Sequence, residues 1–177
     1  ALEDALREKK HVLSAAEENI LAQLSEVTGA TNDIFKMLNN ADLTFGTVVD
    51  EDGDTVNLTH GNYITFMESH NRDLRKAAFT NMYEAYKAHI NTIATTYNYN
   101  VKNDVVSARI RKYDSARQAA LSAGNIPEEV YDNLIAVVHE YLPILHRYIA
   151  LRKKVLGVEE LKMYDVYVPL VELPKKD

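Results

Sequence analysis

Apolar positions Leu13, Ile20, Leu21, Leu24 and Val27 recur at helical spacing until Gly29, and this pattern predicts an amphipathic helix. Ser14 and Glu17 stand at its start with the capping-box spacing, in which hydroxyl and carboxylate each satisfy an orphan backbone amide. A short helix through Ile34, Phe35 and Leu38 follows, capped by Thr31 or Asn32. The period then changes. LTFGTVVDEDGDTVNLT is rich in β-branched residues and centres on Asp52-Gly53, a turn dipeptide that tolerates positive φ, so residues 43–59 read as a β-hairpin.

From Asn62 to about Tyr113 the pattern is helical again, with no proline and no further glycine. Phe66, Leu74, Phe79, Met82, Tyr86, Ile90, Ile93 and Tyr97 recur at spacings that mostly suit one buried face. Such a length exceeds an ordinary globular helix, so a break is expected near His70-Asn71, where Asn71 can begin a new helix as its N-cap. A helix from Ser115 to Ser122 should end before Gly124. Pro127 then fits the first turn of a last helix, with Glu128 and Glu129 favoured there by the dipole, running to Leu156 and stopping at Gly157. MYDVYVPLVEL is extended in character and reads as a strand or a strap across the helices. The expected fold is therefore mainly α. It is a multi-helix array with helices over 1–42, the hairpin over 43–59, long helices over 60–157 and an extended tail over 158–177, with its extended stretch near 164–171.

Composition narrows the class. At 177 residues, with 46% apolar and 26% charged positions, the chain is about one domain of an ordinary globular protein. A net charge of −6 argues against a nucleic-acid partner, which usually meets a basic surface. The basic run Arg152-Lys153-Lys154 is more simply a complement to a helix C-terminus. No cysteine is present, which rules out disulfides and thiolate metal sites and fits the expected cytoplasmic location. No apolar run approaches the roughly 20 residues that cross a bilayer, so no membrane partner is expected. ALEDALREKK lacks an initiator Met and a signal peptide's apolar segment, and it starts within a helical pattern, as an excised or processed piece of a longer chain would.

Candidate chemistry centres on IAVVHEYLPILHRYIALRKK. His139-Glu140 opens like the H-E-x-x-H helix of a zinc peptidase, but the position of the second histidine holds Pro143. His146 lies on the same helical face as His139 yet about 10.5 Å along the axis, too far for both rings to reach one ion within about 2.1 Å. His11, His60, His70 and His89 fall in no ligand spacing and read as packing or surface residues. The acidic turn Asp50, Glu51, Asp52 and Asp54 raises calcium, but its glycine is misplaced for an EF-hand loop and Gly61 stands where the bidentate Glu belongs. The adjacent pairs Glu17-Glu18, Glu128-Glu129 and Glu159-Glu160 diverge on a helix and read as solvated.

Several stretches together, LSAAEENILAQLSEV, IFKMLNNADLTFG, DEDGDTVNLTHGNYITFMES, NRDLRKAAF, NIPEEVYDNLI and LHRYIALRKKVLGVEELKMYDVYVPL, resemble the middle of the oligoendopeptidase F family of thimet-oligopeptidase-like zinc metallopeptidases. The resemblance implies a mostly helical enzyme with a deep channel that cleaves short peptides, using zinc held by H-E-x-x-H and a downstream Glu. The family's metal helix is expected after the segment from Asp165 to Leu170, outside this chain. No catalytic or metal residue can therefore be assigned here, no cofactor is expected bound, and substrate-contacting residues are not named. The implied role is a channel-forming helical portion, inactive alone, whose partners are short peptides and the catalytic half of the same protein. Two other readings are a free-standing helical binding module and a calcium-responsive hairpin protein.

Overall fold

The computed structural model describes residues 2–171. Among them are eight α-helices and one two-stranded antiparallel ribbon, the mainly α architecture expected from the sequence. The helices are α1 (Leu2–Glu8), α2 (Ala15–Thr28), α3 (Ala30–Met37), α4 (His60–Glu68), α5 (Arg72–Ala88), α6 (Ile90–Ile110), α7 (Ala116–Ser122) and α8 (Glu128–Leu156). The strands are β1 (Thr47–Val49) and β2 (Thr55–Asn57). Two compact units divide the chain: residues up to Asp42 with Asn91–Val137, and Leu43–Ile90 with the residues from Val138 onward.

In the first unit α2 starts as its sequence dictates. The Ser14 hydroxyl accepts from the Glu17 amide at 3.4 Å, while Glu17 Oε2 accepts from the Ser14 amide at 2.9 Å. Gly29, expected to end α2, stays right-handed at φ −76° and leads at once into α3, so the two helices abut. Neither Thr31 nor Asn32 caps α3, whose first residue is Ala30. The Thr31 hydroxyl instead donates to Asn100 Oδ1 on α6 at 3.1 Å. Leu38–Asp42 closes with a π-helical turn. The expected apolar stripe of α2 is not buried: Ile20, Leu24 and Val27 are all exposed. His11 is buried, with its ring stacked on Tyr113 at 3.5 Å between centroids.

In the second unit the hairpin forms around Asp52-Gly53, with Val48 opposite Val56 and Gly53 at φ +88°. Val48 faces inward, and Asn81 Nδ2 on α5 donates to the Thr47 carbonyl at 2.9 Å, which ties the ribbon to the helix. A lone ribbon is marginal in water, and this contact supplies the surface it needs. Leu43, Phe45, Val48, Leu58, Met67, Leu74, Ala78, Met82 and Val168 form the core. The expected break falls at His70-Asn71, where Asn71 Oδ1 accepts from the Asp73 and Leu74 amides. A further break at His89 separates α5 from α6, and no glycine or proline announces it in the sequence. Of the apolar positions assigned to one face over this stretch, Phe66, Leu74 and Met82 are buried, whereas Ile90 and Tyr97 are exposed.

The last helix runs unbroken through Pro143 to Leu156, and Gly157 ends it at φ +65°. Its composition corrects the expectation of no membrane-length apolar run, because α8 is long and apolar enough to cross a bilayer by length and composition. Charged positions interrupt it at intervals, which hides the run from a residue-by-residue reading. The segment near 164–171 is a strap: Met163–Asp165 makes a single 3-10 turn and no strand forms within this segment, while positions 172–177 of the expected tail lie outside the described residues.

Candidate functional site

The most organised polar centre lies in the second unit, where the strap meets the start of α5 and the end of α8. The 3-10 turn aims the Asp165 side chain inward, where it is fully buried. Each carboxylate oxygen accepts twice. Oδ1 takes Arg72 Nε at 3.0 Å and Arg75 Nη2 at 2.8 Å, and Oδ2 takes Arg72 Nη2 and the Lys162 amide, both at 2.9 Å. Arg72 and Arg75 share a face of α5 because they are three residues apart. Arg75 is itself buried and also donates to the carbonyls of Ser69, His70 and Tyr164. A third buried guanidinium, Arg152, donates from Nη1 to the carbonyls of Asp165 at 3.1 Å and Val168 at 2.7 Å, and from Nη2 to the Tyr148 hydroxyl. Its Nε is buried without a hydrogen-bond partner.

Burial raises the Asp165 pKa, but the hydrogen bonds from Arg72, Arg75 and the Lys162 amide outweigh it and hold the carboxyl at about 2. An enclosed carboxylate that stays ionised, with both oxygens doubly occupied, cannot serve as a general base near neutral pH. It is a tie between elements. Nearby, burial first and the neighbouring Tyr83 and Tyr167 second push the Tyr63 phenol up to about 12. Arg152 therefore does more than the dipole complement expected of it, since its guanidinium is turned into the core while Lys153 and Lys154 stay exposed.

Among the pockets of the first unit are two with aromatic rings in their walls. One, of about 330 Å³, is lined by Thr31, Asn32, Phe35, Ile93, Thr96, Tyr97 and Asn100 between α3 and α6. The other, of about 280 Å³, is polar and includes Lys10, His11, Tyr113, Ser122, Glu128 and Glu129. His11 Nδ1 lies 2.8 Å from the Arg111 carbonyl, which can only accept, so Nδ1 carries the hydrogen. The acidic pairs expected in solvent are mostly engaged. Glu18 meets Arg111 through two bonds of 2.9 and 3.0 Å, and these hydrogen bonds lower its pKa. Glu128 accepts from Arg117 at 2.7 Å, and Glu160 pairs with Lys162. Only Glu17, in the capping box, could have been found from spacing; Arg111 and Arg117 reach Glu18 and Glu128 from other elements, and Lys162 stands two positions beyond Glu160.

His139 and His146 are exposed on α8, and among the described residues no three His, Asp or Glu side chains gather as metal ligands. Among the described residues, then, no set of side chains is assembled to hold zinc. In the hairpin, Asp50 Oδ1 accepts from the Asp52 and Asp54 amides at 3.1 and 2.8 Å, and Glu51 hydrogen-bonds Ser69, so these carboxylates shape the turn. The Asp165 centre escaped sequence reasoning because its members stand about 90 positions apart, although NRDLRKAAF and MYDVYVPL both carried the family resemblance.

The sequence is 54% identical to oligopeptidase PepF of Bacillus subtilis over 97% of this chain, and 52% identical to group B oligopeptidase PepB of Streptococcus agalactiae over 93%. It spans only about a quarter of those relatives, 26% and 28% of their lengths. The crystal structure of oligoendopeptidase-F from Enterococcus faecium superposes with a TM-score of 0.94 at 45% identity, over 97% of this chain and 34% of that one. A putative peptidase from Chlamydophila abortus superposes with a TM-score of 0.91 at 31% identity, over 97% of this chain and 29% of that one. A family model described as oligopeptidase F matches residues 1–45, and one described as peptidase family M3 matches residues 65–175. With that second match extending over more than half of its length, the chain belongs to peptidase family M3.

Proposed function

We propose that the chain is a helical, channel-forming portion of a zinc-dependent oligopeptidase that hydrolyses short peptides in the cytoplasm. On this reading it is a single helical segment of the larger enzyme. Zinc and the catalytic side chains belong to the part of the polypeptide outside these 177 residues, and the chain alone is inactive. The observation that carries the reading is the match to relatives named as oligopeptidases, of whose lengths the matched region makes up 26% and 28%.

The segment's contribution is positional. The Asp165 centre fixes the strap to α5 and α8, and so fixes where the following chain sets out. A free-standing binding module, the rival reading, would expose little apolar surface; Ile20, Val27, Leu134, Ile144 and Leu151, all exposed, weigh against it. The test is hydrolysis of a short fluorogenic peptide by the purified chain, beside a measurement of its zinc content. No turnover and no stoichiometric zinc are expected. One tightly bound zinc together with turnover would refute the proposal.

A further inference from the structure

The long helix α8 carries a surface pattern of which the tie at Asp165 engages only Tyr148. Val130, Leu134, Val137, Tyr141, Ile144, Tyr148, Leu151 and Val155 follow one another at alternating spacings of four and three. That is the a/d pattern of a coiled-coil seam, whose 3.5-residue period keeps one stripe facing a partner helix. All of these side chains are between 40% and 61% exposed. Towards the end of the helix the neighbouring row, Leu142, Ile149 and Arg152, is half-buried or buried, so the helix is covered on one flank and open along the a/d row beside it. The polar face is narrow and of mixed sign, with Asp132, His139, Glu140, His146, Arg147 and Lys153.

We infer that this open row is a docking surface for a helix contributed by the remainder of the same polypeptide, which makes α8 a central helix of the complete enzyme. The inference rests on the reading of the chain as part of a longer peptidase. Three observations select this occupant. Knob-into-hole spacing calls for a helix, and within the second unit the seam from Tyr141 to Val155 runs about 21 Å at 1.5 Å per residue. Lipid is disfavoured because any window of about 20 residues within Glu128–Leu156 contains both Glu140 and Arg147. The relatives supply ample chain for the role, since about three-quarters of their length lies outside the matched region.

The sequence has no cysteine, which gives a clean probe. Leu151→Cys on the seam and Lys153→Cys on the polar face are each introduced into the 177-residue chain and into the longer polypeptide, any native cysteines there being replaced by serine. Maleimide labelling is then timed under native conditions. Leu151→Cys is expected to label at least 100-fold more slowly in the longer polypeptide than in the chain, while Lys153→Cys labels at similar rates in both. Equal rates for Leu151→Cys would overturn the inference, as would protection in the chain alone that grows with its concentration or appears only with phospholipid vesicles. Val155→Cys, near the helix end, repeats the comparison should Leu151→Cys prevent folding. Peptide hydrolysis is measured on the same samples: a protected seam in a polypeptide without peptidase activity refutes the proposed function and leaves the docking surface standing.

Discussion

Asp165 behaves as an anchor because three of its four hydrogen bonds come from Arg72 and Arg75 on α5, about 90 positions away, and the fourth from the Lys162 amide of its own turn. Asp165→Asn removes the negative charge between Arg72 and Arg75 and leaves the buried Arg75 guanidinium without its counter-charge. A loss of about 3–5 kcal/mol in folding stability is expected, read from the urea midpoint at unchanged slope. The same group sets an acid limit. Its folded pKa is depressed, so the stabilisation is fully present above the ordinary carboxylate value of 3.8 and disappears as pH falls through about 2. The difference amounts to about 2 kcal/mol, which urea melts between pH 5 and pH 2 would register, and Asp165→Asn should flatten that slope. None of this could be seen in the sequence. An aspartate in an aromatic-rich tail and two arginines in a helix are ordinary residues until the fold brings them together.

At the scale of elements, the sequence was most informative where a local rule decides the outcome. Ser14 and Asn71 each cap the helix that follows, as expected, and Gly157 takes the left-handed conformation that stops α8, whereas Ser115, read as the first residue of its helix, is its cap. Ser14→Ala and Asn71→Ala should each lower stability by about 1 kcal/mol, measurable as a shift of the thermal midpoint. Gly53→Ala, which would force a side chain into φ +88°, is expected to cost about 1 kcal/mol and to loosen the ribbon as seen by amide exchange. Local rules failed where no punctuation marks the change. The break at His89 and the abutting of α2 and α3 at Gly29 depend on packing, not on a turn residue. Capping by Thr31 failed for a related reason, because the hydroxyl found a partner on α6.

For the whole molecule, helix class and ribbon were readable from periodicity, whereas the distribution of apolar surface was not. Periodicity identifies which residues share a face, but whether that face is covered depends on chain beyond its own element. The stripe of α2 and the seam of α8 illustrate the point, since both have core patterning and both are exposed. The purified chain should therefore enhance the fluorescence of an apolar-surface dye in its native state, and the longer polypeptide should do so far less per mole. Millimolar calcium should leave the melting temperature unchanged, because Asp50 is already engaged by backbone amides and offers no open ligand set.

The way the strap is fastened bears on cleavage. Between Leu156 at the end of α8 and Glu160 the chain crosses a short connection, beyond which Asp165 and Val168 are gripped by arginines on both α5 and α8. A protease that nicks this connection severs one covalent link but none of those bonds. The released peptide should stay with the body of the protein through size-exclusion chromatography and part from it only in denaturant or strong acid.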